Sequence, residues 1–97
     1  MNNNDLLDRE FNRIVGEVLK TKRERKGYSL QELSNKINNK VSRQTLNKYE
    51  NNSSNIRNGT FMAICEALGE RPQDVFEEIS LKYMRFVDQI KEQKFKS

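Results

Sequence analysis

Residues 41–52 read VSRQTLNKYENN. Leu46 and Tyr49 stand three apart, the spacing of one helix face, with Val41 just before them. Ser42 is a good N-cap, because its hydroxyl accepts from the unpaired backbone N–H groups that open a helix. A two-turn helix over 43–50 is therefore predicted, with Leu46 and Tyr49 facing inward. Between its start and Lys48 the other positions are Arg43, Gln44, Thr45, Asn47 and Lys48, each of which carries a hydrogen-bond donor, and Glu50 closes it. A short helix with a narrow apolar stripe and a broad donor-rich face presents a surface suited to a polar partner.

The segments around it are also helical in pattern. Upstream, Ser29 and Glu32 form a Ser-x-x-Glu capping box, and Leu30, Leu33 and Ile37 make the inner face of a helix ending near Asn38 or Asn39. The first helix is predicted from Asp5, as cap, to Lys26. Leu7, Phe11, Ile14 and Val18 repeat at 4-3-4, Val15 and Leu19 lie beside them, and Gly27 supplies the stop. Past the polar loop ENNSSN, Thr60 to Leu68 form a fourth helix with Phe61, Ile64, Cys65 and Leu68 inward and Gly69 as its end. Cys65 reads as a small buried apolar residue. The fifth helix opens at Pro72 and runs to about residue 95. Asp74, Glu77 and Glu78 stand at its start and Lys91, Lys94 and Lys96 at its end, as the helix dipole favours. Phe76, Ile79, Tyr83, Phe86 and Ile90 repeat at 3-4-3-4, flanked by Val75 and Val87. No segment alternates with the period of a strand. The fold class is all-α: five helices in one domain over 1–97, with long terminal helices.

Composition narrows the function. The chain has 97 residues, of which 34% are hydrophobic, so its core is thin and a partner chain often makes up such a shortfall. One Cys and no His exclude a disulfide framework and the usual zinc sites, and leave no His to act as a general base. No phosphate-cradling glycine loop is present. The chain is expected not to be an enzyme, and to need neither metal nor cofactor. The opening MNNNDLLDRE lacks the basic-then-apolar order of a signal peptide, and no stretch approaches a membrane span. With a single Cys, that points to the cytoplasm and away from membranes.

The net charge of +4 is unevenly placed. Residues 20–48 hold nine Lys or Arg against Glu24 and Glu32, while the segments before and after are acidic or balanced. Such a block is either a solvated basic face or a footprint for phosphates. The helix at 43–50 lies within it. A helix fits the B-DNA major groove, about 12 Å wide, where Arg pairs with guanine and Gln or Asn with adenine. Arg43 and Gln44 directly follow the cap and Asn47 is one turn on, which is the residue chemistry that direct base readout requires.

These segments together resemble the Cro/CI-type, Xre-like helix-turn-helix regulators. The resemblance covers about residues 16–76 and rests on KTKRERKGYSLQELSNKI, then VSRQTLNKYEN, then TFMAICEALGERPQDVF. It implies that Arg43, Gln44, Thr45 and Asn47 face bases. It implies phosphate contacts from Ser29, Gln31, Ser42, Lys48, Asn51 and Asn52, with Lys40 reaching a phosphate from the turn before the reading helix. Three departures stand out. Leu30 replaces the Gln usual after the second-helix cap. Ser34 replaces the usual Ala, and no Gly follows Glu50 as it usually does. The turn Ile37–Ser42 is about two residues longer than the family's Leu-Gly-Val-Ser.

The resemblance implies a sequence-specific regulator of double-stranded DNA, a repressor acting on a pseudo-palindromic operator. The terminal helices add apolar stripes beyond the family core, through Leu7, Phe11, Ile79, Tyr83, Phe86 and Ile90. They cover each other within one chain or pair between chains; pairing as a homodimer is the expectation, since two-fold operators match two-fold proteins. The other functional reading is a protein-interaction module on the same fold, such as an antitoxin or a phage-encoded inhibitor, whose protein ligand is unknown. The basic block favours DNA.

Overall fold

The computed structural model describes residues 3–51 and 54–96, with side chains described for 5–51 and 54–93. Five helices follow one another: α1 Asn3–Arg25, α2 Leu30–Lys36, α3 Arg43–Glu50, α4 Asn58–Ala67 and α5 Pro72–Lys96. No strand occurs among the described residues. Both expected caps of the central pair form. Ser29 Oγ accepts from Glu32 N at 3.0 Å while Glu32 Oε1 accepts from Ser29 N at 2.9 Å, and Ser42 Oγ accepts from Thr45 N at 3.1 Å. The bond from the Ser29 backbone also holds the Glu32 carboxyl below its ordinary pKa.

Three helices end in one way. After α1, Gly27 N reaches Glu24 O and Tyr28 N reaches Arg23 O; after α4, Gly69 N reaches Glu66 O and Glu70 N reaches Cys65 O. Both glycines take the left-handed conformation this closure needs, at φ 76° and 72°. After α2 the same two bonds form, from Asn38 N to Asn35 O and Asn39 N to Ser34 O, but the left-handed residue is Asn38, at φ 54°. Asn tolerates this region better than other side-chain-bearing residues. Asn39 is left-handed as well, at φ 58°, and that second residue lengthens the turn.

The core is one cluster drawn from all five helices. It comprises Ile14, Val15, Val18 and Leu19 of α1, Leu33 of α2, Leu46 of α3, Ile64 and Cys65 of α4, Leu68 after it, and Val75 and Ile79 of α5. Burial pushes the Cys65 thiol up to about 11, as for an inert core cysteine. α1 and α5 pack on each other in the same chain. Phe11 meets Tyr83 edge-on at 5.2 Å, and Lys22 Nζ lies 3.3 Å from carboxylate oxygens of both Glu70 and Glu78. These two helices, of 23 and 25 residues, draw the molecule out to 50 × 26 × 21 Å.

Two expectations need correction here. Ile79, expected at a dimer interface, is 0% exposed and belongs to the chain's own core. Val75, expected as a flank of the α5 stripe, is buried, while Phe76 is 52% exposed. Adjacent apolar residues at 75 and 76 leave the phase of the stripe open by one residue. Packing against α1 and α4 selects the phase through Val75. α4 also starts two residues earlier than expected, through Asn58 and Gly59, with no side-chain cap from Arg57.

Candidate nucleic-acid interface

The donor-rich helix α3 is held from behind at three points. Leu46, 2% exposed, anchors it in the core. Gly16 lets α1 approach the end of α3 so closely that a Cβ there would lie 2.3 Å from Tyr49 O. The third point is a forked ion pair. Arg23 Nε donates to Glu50 Oε2 at 2.7 Å and Nη2 donates to Oε1 at 2.9 Å, while Nη1 donates to Tyr28 O at 2.6 Å. The two side chains are 11% and 7% exposed. Hydrogen bonding to Glu50 raises the pKa of Arg23 against the opposing effect of burial. This pair joins α1, the turn before α2 and the end of α3, a planar two-pronged match that Lys could not make.

Two of the nine cations in residues 20–48 are therefore engaged inside the fold: Arg23 with Glu50, and Lys22 with Glu70 and Glu78. Lys36 lies over the Tyr28 ring at 4.6 Å. Sequence alone counts all nine alike. Among the described residues, no carboxylate pairs with Lys40, Arg43 or Lys48, and all three are exposed.

Of the four base-reading candidates, Arg43, Gln44 and Asn47 are exposed and Thr45 is half-buried. Arg43, Gln44 and Asn47 line one concavity together with Leu30. Leu30 was expected on the inner face of α2; the structure places it at the edge of this concavity as well. An apolar wall beside three polar side chains suits a groove that displays both hydrogen-bonding edges and the thymine methyl. Thr45 Oγ1 accepts from Ser42 Oγ at 3.0 Å, and that hydroxyl in turn accepts from Thr45 N, so Ser42 acts first as a cap.

The phosphate candidates divide. Ser29, Gln31, Lys40, Ser42 and Lys48 are exposed. Gln31 gives one amide hydrogen to Asn35 Oδ1 at 2.9 Å. Asn51 is exposed too, but its amide nitrogen donates to Asn47 O at 2.9 Å and Asn47 Oδ1 at 2.8 Å, so no side-chain donor is left for a phosphate. Asn52 lies outside the described residues.

The departure at Ser34 has a structural reason. Its side chain is buried, at 2% exposure, and its hydroxyl donates to Val41 O at 2.7 Å, with Asn39 Oδ1 at 3.3 Å. The family's Ala could not bridge to Val41. The hydroxyl clips the lengthened turn to α2, and so sets where α3 begins.

A capped helix, a turn and a second helix with an exposed polar face, built on an all-α core, define a helix-turn-helix DNA-binding fold. A family model described as Helix-turn-helix matches residues 19–75, and the chain belongs to that family. No curated protein sequence matches it. Among solved structures it is similar to the crystal structure of the clp gene regulator ClgR from Corynebacterium glutamicum, with a TM-score of 0.71 and 24% identity over 88% of each chain. That likeness extends beyond the family match and into both terminal helices. No described helix is long and apolar enough to cross a membrane.

Proposed function

We propose that this protein is a transcriptional repressor that binds a pseudo-palindromic operator in double-stranded DNA as a homodimer. The observation that carries the reading is the shared concavity of Leu30, Arg43, Gln44 and Asn47 on a helix braced by Leu46, Gly16 and the Arg23–Glu50 pair. Arg43, Gln44, Thr45 and Asn47 read bases. Lys40 and Lys48, with Ser29, Gln31 and Ser42, meet the sugar-phosphate backbone on either side.

Two variants separate base reading from phosphate binding. Arg43→Ala should leave the fold intact, because the side chain is exposed, and should lose about 1–3 kcal/mol of discrimination at one base pair per half-site. Lys48→Ala should weaken binding to all sequences alike and reduce the slope of log affinity against log salt by about 1 per site. Titrations of operator and random duplex at several salt concentrations measure both. A salt-insensitive affinity, or an Arg43→Ala protein with unchanged base preferences, would overturn the assignment.

The dimer reading draws on the outer face of α5. Phe76 and Met84 are 52% and 46% exposed there, and Tyr83 and Val87 are half-buried beside them. Leu7, Phe11, Phe86 and Ile90 remain half-buried along the same pair of helices. An apolar strip of this kind is large for a monomer of this size. Met84→Asp should convert a dimer to a monomer in sedimentation, since it places a charge on that strip without touching the core. A dimer of undiminished stability would place the interface elsewhere.

A further inference from the structure

An exposed asparagine normally offers its oxygen or its nitrogen to a partner with little preference, because half a turn of the amide exchanges them. Asn47 is not in that situation. Asn51 stands one turn on, and its backbone N–H donates to Asn47 O at 3.0 Å. Its side-chain nitrogen reaches the same Asn47 O at 2.9 Å and also Asn47 Oδ1 at 2.8 Å. A backbone carbonyl can only accept, so the end of the Asn51 amide that meets it is the NH₂ end. That NH₂ then has one hydrogen for each acceptor. The atom of the Asn47 side chain that meets the second hydrogen must be its oxygen. One backbone carbonyl therefore sets two side-chain amides in series, and the Asn47 nitrogen is the end left unbonded.

Asn47 shares its concavity with Leu30, Arg43 and Gln44. We propose that Asn51 is a specificity-positioning residue: it holds the Asn47 amide nitrogen-first, so that Asn47 reads one base pair in one polarity. The proposal rests on the DNA-binding reading above. A nitrogen-first amide meets an acceptor such as guanine O6 or N7, or thymine O4, and opposes the cytosine N4 donor. Holding it in advance removes the freedom to turn over and accept that wrong edge, so discrimination comes from a repulsive contact as well as an attractive one. Asn51 contributes without touching DNA through its own side-chain donor.

The test is selection of bound duplexes from a random pool, run in parallel with the wild type, Asn47→Ala, Arg43→Ala and Asn51→Leu. Asn47→Ala and Arg43→Ala each mark the base pair their residue reads, by the preference that disappears. Asn51→Leu should weaken the preference at the Asn47 pair by about tenfold, on the scale of one lost base contact, and leave the Arg43 pair unchanged. Equal weakening at every pair would reduce Asn51 to an ordinary helix cap and overturn the proposal. So would an undiminished preference at the Asn47 pair, or an Asn47→Ala protein that loses preference nowhere. If the wild type enriches no sequence, the DNA-binding reading itself falls, which is a separate and recognisable outcome. Thermal melting of Asn51→Leu accompanies the selection; Asn51→Ala replaces it if the bulkier side chain prevents folding.

Discussion

Gly16→Ala is expected to lower the thermal unfolding midpoint by about 10 °C or more. Two effects compete. Alanine is a better helix former than glycine by about 1 kcal/mol, and Gly16 lies inside α1, so propensity alone predicts stabilisation. Against that, the new methyl would stand 2.3 Å from Tyr49 O and 3.2 Å from Glu50 O. Both are backbone atoms at the end of α3, so no side chain can rotate to relieve the clash. Overpacking of this kind costs about 1–3 kcal/mol, and more where the neighbour is rigid. Each 1 kcal/mol moves the midpoint of a domain this size by about 4–8 °C. The clash should win, and separating α1 from α3 should also tilt the reading helix and weaken operator binding. Melting followed by circular dichroism measures the first effect. An unchanged or higher midpoint would mean that α3 shifts freely past α1, and that the close approach does not hold it.

Glu50→Ala is expected to be the more damaging change, by about 3–5 kcal/mol. It leaves the Arg23 guanidinium, on a side chain only 11% exposed beside Glu50, with only Tyr28 O to bond. An unpaired buried charge costs far more than the pair contributes. A small domain holds about 5–15 kcal/mol in all, so the single variant should lose a large fraction of its stability. The double variant Arg23→Met, Glu50→Leu should recover most of the loss, because apolar residues can fill the same space without a charge to desolvate. Urea unfolding of the four proteins in that cycle decides the matter. A Glu50→Ala protein within about 0.5 kcal/mol of the wild type would show that solvent reaches Arg23 easily, as it does for surface pairs.

Both residues show where a linear reading stops. Glu50 stood out as the acid that ends the reading helix, yet nothing in its local pattern named a partner 27 positions earlier. Arg23 was one of nine cations in a basic block. Its guanidinium is turned inward at the point where α1, the turn before α2 and the end of α3 meet. Gly16 carried no signal in the pattern of α1, and only the nearness of α3 gives it a purpose. Leu30 shows the same limit: inner by periodicity, it also reaches the reading surface because α2 is short and its first turn stands beside α3.

The reading helix was legible for a different reason. Its cap, its anchor Leu46 and its donor-rich face are all local, and local chemistry survives folding unaltered. The capping box at Ser29 and the glycine stops at Gly27 and Gly69 are local too, as is the inward side of Cys65. Helix ends were less secure. α4 takes in Asn58 and Gly59 against their intrinsic preference, although both are exposed and Arg57 supplies no side-chain cap.

By itself the sequence determined that the chain is five helices, where the turn between the central pair is longer than usual, and which side of residues 43–50 is polar. Those properties depend on neighbours within four positions, the reach of a helical turn. Only the tertiary structure decided which cations remain available to a partner, which face of α5 is core, and that the terminal helices cover each other within one chain. It also decided that Ser34 clips the enlarged turn at Val41. Each of these depends on the direction of a side chain relative to a group on another turn or another helix, and direction is set by packing.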